Sequence, residues 1–352
     1  MSFKPKVTVV TVTYNAEQLL ERTIKSVIEQ DYPNIEYIII DGASSDETVK
    51  IIKKYGKHIS YWVSEPDSGI YDAMNKGIDR ATGEWINFLN AGDSFVEKDT
   101  ISKVVKEMHE DVEIIAGDIF YVENEKKSYK ASAKLEDKLK GMFCFHQAMF
   151  TKIGLMRRYK FNTAFKIAGD YDFALKCAMN QHRFKFISLP IANFLADGLS
   201  ETNRLFAKVE DLFIQSKYIK NKDEIFNLFS YSFIKSQDTS SNNYLFAHLM
   251  NSFYKWLDTL DLSKTYLLYG YGHIGKIVYE NLKPSIKAIV DRSYKDLSSP
   301  DLTIYNPSDI ADFEFDHIII SVLGREDAIT KYLVEDLKVS RDKIMRLDLK
   351  NV

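Results

Sequence analysis

The chain has 352 residues, 45% of them hydrophobic and 28% charged, with a formal net charge of −3. That balance is ordinary for a globular protein of about two domains, and the interspersed charges leave no basic stripe for nucleic acid. Cys144 and Cys177 are its two cysteines, outside any Cys-x-x-Cys pair, which argues against a disulfide framework or a structural zinc site and fits a reducing cytoplasm.

Met1 to Lys6 is short and polar, without the charged head, apolar stretch and cleavage site of a signal peptide. No apolar run approaches the length needed to cross a bilayer. A cytoplasmic protein is expected, with peripheral contact at the inner face of the cell membrane left open.

The first half alternates strand and helix signals. Val7 to Thr13 is a β-branched strand, Glu17 to Ile28 has helical apolar spacing, and Glu36 to Ile40 is a second apolar strand. That strand runs into Asp41-Gly42-Ala43-Ser44-Ser45-Asp46, where Ser45 or Asp46 would cap a helix from Glu47 to Tyr55. A strand at Ser60–Val63, a helix at Ile70–Ala81 and a strand at Trp85–Leu89 continue the series. Such alternation predicts an α/β domain around a mostly parallel sheet with helices on both faces. Ligands of such sheets lie at the carboxyl ends of the strands. Tyr14-Asn15, Asp41, Glu65 to Gly69 and Asn90 to Asp93 all follow a predicted strand, so their polar groups gather at one edge.

From about Leu205 to Leu262, aromatic and aliphatic residues sit at broadly helical spacing among Lys, Asn and Ser, with a polar break at Gln237–Asn243. Linking helices are expected, by packing among themselves rather than docking on a membrane. A second strand–helix alternation starts at Thr265 and includes Gly270-Tyr271-Gly272-His273-Ile274-Gly275, a strand at Ile286–Val290 ending in Asp291, and later strands near Thr303–Tyr305 and His317–Val322. This predicts a small Rossmann-like α/β domain. Gly270, Gly272, Gly275 and Asp291 stand as a candidate second nucleotide site, since the glycines follow a strand and open a helix. No Tyr-x-x-x-Lys or comparable hydride-transfer set follows, so an NAD-type nucleotide is not expected there. The predicted layout is residues 1–204, a helical connector over 205–262, and the small domain over 263–352.

Val10-Thr-Val-Thr13-Tyr14-Asn15, Ile38-Ile-Ile-Asp41-Gly-Ala-Ser-Ser-Asp46 and Gly83-Glu-Trp-Ile-Asn-Phe-Leu-Asn90-Ala-Gly-Asp93 resemble, in order and spacing, the motifs of family 2 glycosyltransferases of the GT-A fold. The resemblance covers roughly the first 200 residues. It implies an inverting hexosyltransferase that moves a sugar from a UDP-sugar donor to a saccharide or lipid-linked saccharide acceptor in bacterial surface polysaccharide assembly.

By the same resemblance, Thr13 and Tyr14 would lie at the uracil, whose face an aromatic ring can stack on. Asp41 would accept the imide N–H. Asp67 and Lys76 belong to the segment beneath the donor, where many relatives carry an arginine at the position of Met74. Both also read as ordinary surface residues. Most relatives end the Trp85 strand in Asp-x-Asp. Here Asn90 and Gly92 replace the pair and Asp93 keeps the one carboxylate, so Asp93 is the candidate ligand of a divalent metal (Mg²⁺ or Mn²⁺), with Asn90 facing the ribose or the metal's water shell.

Ile167-Ala-Gly169-Asp170-Tyr-Asp172-Phe173 resembles the family's Glu-Asp pair, with Gly169 in the glutamate's place. Asp170 then matches the base of an inverting transfer. The plain alternative makes Asp170 a helix N-cap. Asp172 is the second candidate, better suited to a first-turn carboxylate favoured by the helix dipole. His146 and Gln147 would hydrogen-bond the diphosphate or a sugar hydroxyl, and Asp197 to Ser200 would close the site as a lid. Two rival readings stay open: a donor-binding but catalytically silent protein, which the altered metal motif permits, and a nicotinamide-dependent sugar oxidoreductase using the C-terminal domain.

Overall fold

The computed structural model describes residues 4–124, 126–196, 204–219, 256–257, 259–298, 302–322 and 325–346. The expected lid at Asp197–Ser200 and most of the expected connector lie outside those residues. Its contacts divide the chain into two units, Met1–Tyr218 and Ile219–Val352.

In the first unit, β1 (Val7–Thr13) is buried along its whole length and pairs in parallel with β2 (Ile35–Asp41), which pairs in parallel with β3 (Tyr61–Ser64). Strands with both faces covered need near-continuous apolar runs, and VTVVTVT and IEYIIID supply them. On the other side β1 pairs in parallel with β4 (Trp85–Phe88). The crossovers are α1 (Leu20–Ile28), α2 (Thr48–Lys54) and α3 (Ile70–Arg80). Helix α1 buries Leu20, Thr23, Ile24 and Val27, a stripe at helical spacing, onto the sheet. The N-cap of α2 is Glu47, without a side-chain cap bond, and not Ser45 or Asp46, although Asp46 one residue earlier accepts the Thr48 N–H at 3.0 Å.

The rest of the unit is less regular. It holds β5 (Ser94–Phe95), α4 (Thr100–Val105), β6 (Ile114–Glu123), β7 (Lys126–Lys130), β8 (Met149–Lys152), α5 (Ile153–Tyr159), α6 (Gly169–Met179), β9 (Phe184–Leu195) and α7 (Arg204–Ser216). Strand order is β3-β2-β1-β4-β8-β6-β9-β5, with β7 on β6. Strands β4 and β8, like β6 and β8, run antiparallel, so the parallel half continues into a mixed half. The core between sheet and helices includes Val9, Ile24, Ile39, Trp85, Leu89, Ile115 and Phe150. Each large side chain so buried favours folding by about 1.5–3 kcal/mol.

Register sets the functional edge. Thr13 stands opposite Asp41, and Asp41 opposite Ser64. The loops after β1, β2 and β3 therefore leave the sheet side by side. Leu89 and Ala91 continue beyond β4 by donating to the carbonyls of Val10 and Val12, at 2.9 and 3.1 Å, and this carries Asn90–Asp93 to the same edge.

The second unit contains β10 (Tyr266–Tyr269), α8 (His273–Leu282), β11 (Ile286–Val290), α9 (Tyr294–Leu297), β12 (Ile304–Tyr305), β13 (His317–Ile320), α10 (Glu326–Glu335) and β14 (Ile344–Arg346). Among the described residues its strand pairs are all parallel, in the order β12-β11-β10-β13-β14.

Candidate active site

Tyr14 follows β1 with its ring 66% exposed, unusual for a large aromatic beside a buried strand. Gly42, after β2, explains how closely its neighbours approach. A Cβ there would lie 2.6 Å from Asp67 Oδ2 and 3.3 Å from the Tyr14 ring, so a side chain would push the Asp67 carboxylate aside, and Tyr14 and Asp67 share one small patch. Asp67 Oδ1 accepts the Gly69 N–H at 2.9 Å, which shapes the turn before α3. The loops after β1 and β2 are laced together: Asn15 N–H donates to Ser44 Oγ at 2.8 Å, and Ser45 N–H to Asn15 Oδ1 at 2.9 Å.

Asp41 is not presented as an open acceptor. It is 0% exposed, and its carboxylate accepts from Ser44 N–H at 3.0 Å, from Ser44 Oγ, and from Ser64 Oγ at 2.6 Å. Thr13 is buried too, with an unpartnered hydroxyl. Lys76 is tied within its own segment: Nζ donates to the Pro66 carbonyl at 2.8 Å and pairs with Glu65 at 3.0 Å. Met74, standing where relatives carry arginine, is fully buried.

The turn after β4 is gripped by α1. Thr23 Oγ1 donates to the Asp93 carbonyl at 2.6 Å and accepts the Gly92 N–H at 3.0 Å, while Arg22 donates to the Gly92 carbonyl. Gly92 has φ +104°, which a residue with a Cβ rarely adopts. Asp93 is 6% exposed, and Oδ1 accepts the Leu195 N–H at 3.1 Å. Burial pushes its carboxyl up to about 6, against the opposing pull of His146, the Leu195 amide, the Gln147 side chain and Arg22.

Next to this turn lies a connected polar chain. Asn90 Nδ2 is 3.1 Å from His146 Nε2, and His146 Nδ1 is 2.8 Å from Asp170 Oδ2. A neutral imidazole donating from Nδ1 to the carboxylate accepts at Nε2, which orients Asn90 with its amide nitrogen toward the ring. Asn90 Oδ1 is then left buried without a partner. Among the described residues no cluster of three or more His, Cys, Asp or Glu stands ready for a metal. Asn90 Oδ1 and the Asp93 carboxylate are the hard oxygens here, a set that suits a cation bound mainly through phosphates and water.

Asp170 sits in the first turn of α6, with Ala168 at the N-cap, so the reading of Asp170 as that cap does not hold. Its Oδ1 accepts from Tyr71 Oη at 3.1 Å and from the Tyr171 N–H at 2.9 Å. The glycine before it has a steric cause: a Cβ on Gly169 would lie 2.8 Å from the Tyr71 ring. Tyr71 occupies the place, and its hydroxyl also donates to the Ile167 carbonyl. The side chains of His146 and Asp170 are 17% and 15% exposed, sheltered but reachable. Asp172 is fully buried and paired with Lys217 at 3.0 Å and Lys176 at 3.8 Å. Gln147 is buried, and its carbonyl accepts from Asn87 Nδ2 at 3.0 Å, which pins the His146–Ala148 turn onto β4.

Sequence reading missed Tyr71, Asn87 and Arg22. Tyr71 was legible in part, because a glycine in place of a glutamate signals a neighbour that fills the space. Asn87, a polar residue in an otherwise apolar strand, was a signal as well.

In the second unit Gly270 has φ +100°, and a Cβ on Gly275 would overlap the Gly270 carbonyl at 2.1 Å. A Cβ on Gly272 would meet nothing within 4 Å. Asp291 braces this loop, accepting from the N–H groups of Tyr271 and Ser293, each at 2.8 Å.

The family model for glycosyl transferase family 2 matches residues 8–170, and one described as C2185-like, N-terminal, matches residues 262–345. A PGL/p-HBAD biosynthesis glycosyltransferase of Mycobacterium bovis is 30% identical over 182 residues, 50% of this chain and 71% of that protein. Among solved structures, S. aureus TarS residues 1–349 in complex with UDP-GlcNAc superposes with a TM-score of 0.54 at 16% identity, over 70% of this chain and 80% of that one. The mannosyltransferase PcManGT from Pyrobaculum calidifontis, in complex with GDP-Man and Mn²⁺, gives 0.50 at 20% identity, over 71% and 72%. At these identities the two structures speak to fold alone, a mixed α/β fold consistent with GT-A. No helix among the described residues is long and apolar enough to cross a membrane.

Proposed function

The chain belongs to family 2 of the glycosyltransferases, and from that membership we propose that it moves a sugar from a UDP-linked donor onto a saccharide hydroxyl, with inversion at the anomeric carbon. The observation that carries this reading is the placement of Asp170. Its carboxylate is fixed by His146 and Tyr71 within the polar chain that ends at Asn90, beside the turn of Asp93.

Asp170 acts as the base. As the acceptor oxygen forms its bond to the anomeric carbon, the bond from that carbon to the diphosphate breaks, and its electron pair leaves with UDP. The hydroxyl proton passes to the Asp170 carboxylate. His146 Nδ1–H donates to one carboxylate oxygen, and the Tyr71 hydroxyl, whose one proton is shared with the Ile167 carbonyl, lies at the other, so the two hold the carboxylate's orientation. Tyr14 supplies a flat face for the uracil, with Asp67 beside it. Asp41 serves the donor pocket chiefly by bracing Ser44 and Ser64, and Lys76 by holding the segment from Glu65 to α3. Asp93 and Asn90 Oδ1 would hold a divalent cation, whose charge offsets that of the leaving diphosphate. The C-terminal sheet fits a Rossmann-like unit in which Asp291 shapes the glycine loop. Cytoplasmic polysaccharide assembly is the setting we assign.

Thermal denaturation with UDP or GDP, with and without Mn²⁺, tests the donor assignment without knowledge of the acceptor. UDP should raise the midpoint more than GDP, and Mn²⁺ should enlarge the shift. A response to GDP alone would transfer the assignment to a guanosine donor, and no response to either would overturn the donor-site reading.

A further inference from the structure

Helix α7 lies beyond residue 170, where the family match ends, yet it reaches into the site through one side chain. Glu210 is 4% exposed, and its carboxylate accepts three successive backbone N–H groups: Lys166 at 2.7 Å, and Ile167 and Ala168 at 2.8 Å each. We propose that Glu210 is a positioning residue for the transfer, fixing the loop that aims Asp170; this rests on Asp170 being the base.

The first N–H groups of a helix have no partner inside it, and a side-chain oxygen just before the first turn commonly satisfies one. Here that position is Ala168, which has no such oxygen. Glu210, from a different helix, instead binds the N–H of Ala168 and of the two residues before it, which sets its negative charge at the positive end of the α6 dipole. A buried carboxylate is costly unless hydrogen-bonded, and charge-assisted bonds to backbone amides are among the strong ones. Three on one group leave that loop little freedom.

The loop is held from its other side as well. Ile167 is thus gripped on both sides, at its N–H by Glu210 and at its C=O by the Tyr71 hydroxyl, whose one proton is shared between that carbonyl and Asp170 Oδ1. Lys166 Nζ donates to the Ser68 carbonyl at 3.0 Å and joins the same loop to the turn beneath the donor. Further along α7 and just past it, Gln215 reaches the Tyr171 hydroxyl at 3.5 Å and Lys217 pairs with Asp172 at 3.0 Å, which sets the helix in register with α6. Losing the Glu210 charge therefore loosens the anchor of Asp170 without touching Tyr14, Asp93 or the turn around them.

The test uses the full chain with Glu210→Gln, which keeps the size and removes the charge and one acceptor oxygen. Three quantities are read: the UDP-induced shift in melting midpoint, amide exchange in a peptide spanning residues 166–171, and kcat and KM with a UDP-sugar that the wild type turns over. The expected result is faster exchange in that peptide, an unchanged UDP shift, and kcat down by about 10- to 100-fold at nearly constant donor KM. Glu210→Asp, which keeps the charge, should recover part of kcat, and it carries the comparison if the Gln variant does not fold. A kcat within about twofold of wild type overturns the proposal, as does a loss of kcat matched by an equal loss of UDP binding. Failure of the wild type to bind UDP would instead overturn the transferase reading, and unaltered exchange in the variant would still refute the anchor.

Discussion

Replacing Asp93 by Asn should make the protein more stable, by an amount that depends on pH. Burial raises the Asp93 carboxyl from 3.8 to about 6 in the folded chain. A carboxyl whose folded pKa is raised costs nothing while it is protonated in both states. It destabilises the fold progressively as pH climbs from the unfolded value through the folded one, then by a constant amount above. With those two values the cost is about 1.6 kcal/mol at pH 5 and about 3 kcal/mol at pH 8. The amide keeps the shape and can still accept the Leu195 N–H with its oxygen. For a unit of this size about 3 kcal/mol corresponds to roughly 6–12 °C in Tm. The assay is calorimetric or fluorescence melting of both proteins from pH 5 to pH 8. The variant should melt higher throughout, with a gap that widens toward pH 8. A gap independent of pH, or a variant that melts lower at pH 8, would refute the burial argument. The same variant should lose the extra UDP shift produced by Mn²⁺, because the neutral amide is the poorer cation ligand.

Other consequences can be checked alongside. Tyr14→Ala should leave Tm nearly unchanged, since the ring is 66% exposed, and should weaken UDP binding by about 1–3 kcal/mol in a titration. Gly169→Ala drives a methyl to 2.8 Å from the Tyr71 ring, so activity should fall sharply while UDP still binds. Glu36 is opposed by burial, but the bonds from Thr8, Thr82 and Lys6 hold its carboxyl at about 2. Its contribution is full above the ordinary value near 4.5 and is lost as pH falls toward 2, so Glu36→Gln should cost about 2–3 kcal/mol at pH 7 and progressively less in acid.

The parallel half of the first sheet was legible because buried parallel strands announce themselves as apolar runs, as in Val7–Thr13 and Ile35–Asp41. Boundaries moved by a few residues where a turn intervenes: α1 starts at Leu20, not Glu17, since Ala16 first accepts from Leu19 and Leu20. The second half left weaker traces. Strand β9 carries Lys185, Ser188 and Pro190 among its apolar residues and is only partly buried over most of its length, and β7 is exposed throughout. At the site, motif order pointed to Asp170 and His146, but not to the contact between them, which joins residues 24 apart in sequence. The burial of Asp41 and the local pairing of Lys76 were likewise invisible, because both depend on serine, glutamate and carbonyl partners set by the fold. Glu210 sat in a stretch that composition marked merely as helical, and only the tertiary fold brings it to the loop before Asp170.

The most direct measurement is UDP release from a panel of UDP-sugars, offered with oligosaccharide acceptors, by the wild type and by Asp170→Asn, each first shown to bind UDP. The wild type should turn over at least one donor, and the variant should be slower by about 10²–10⁴-fold at unchanged UDP affinity. Turnover that survives in Asp170→Asn would contradict Asp170 as the base, because the proton of the attacking hydroxyl would then be leaving by another group.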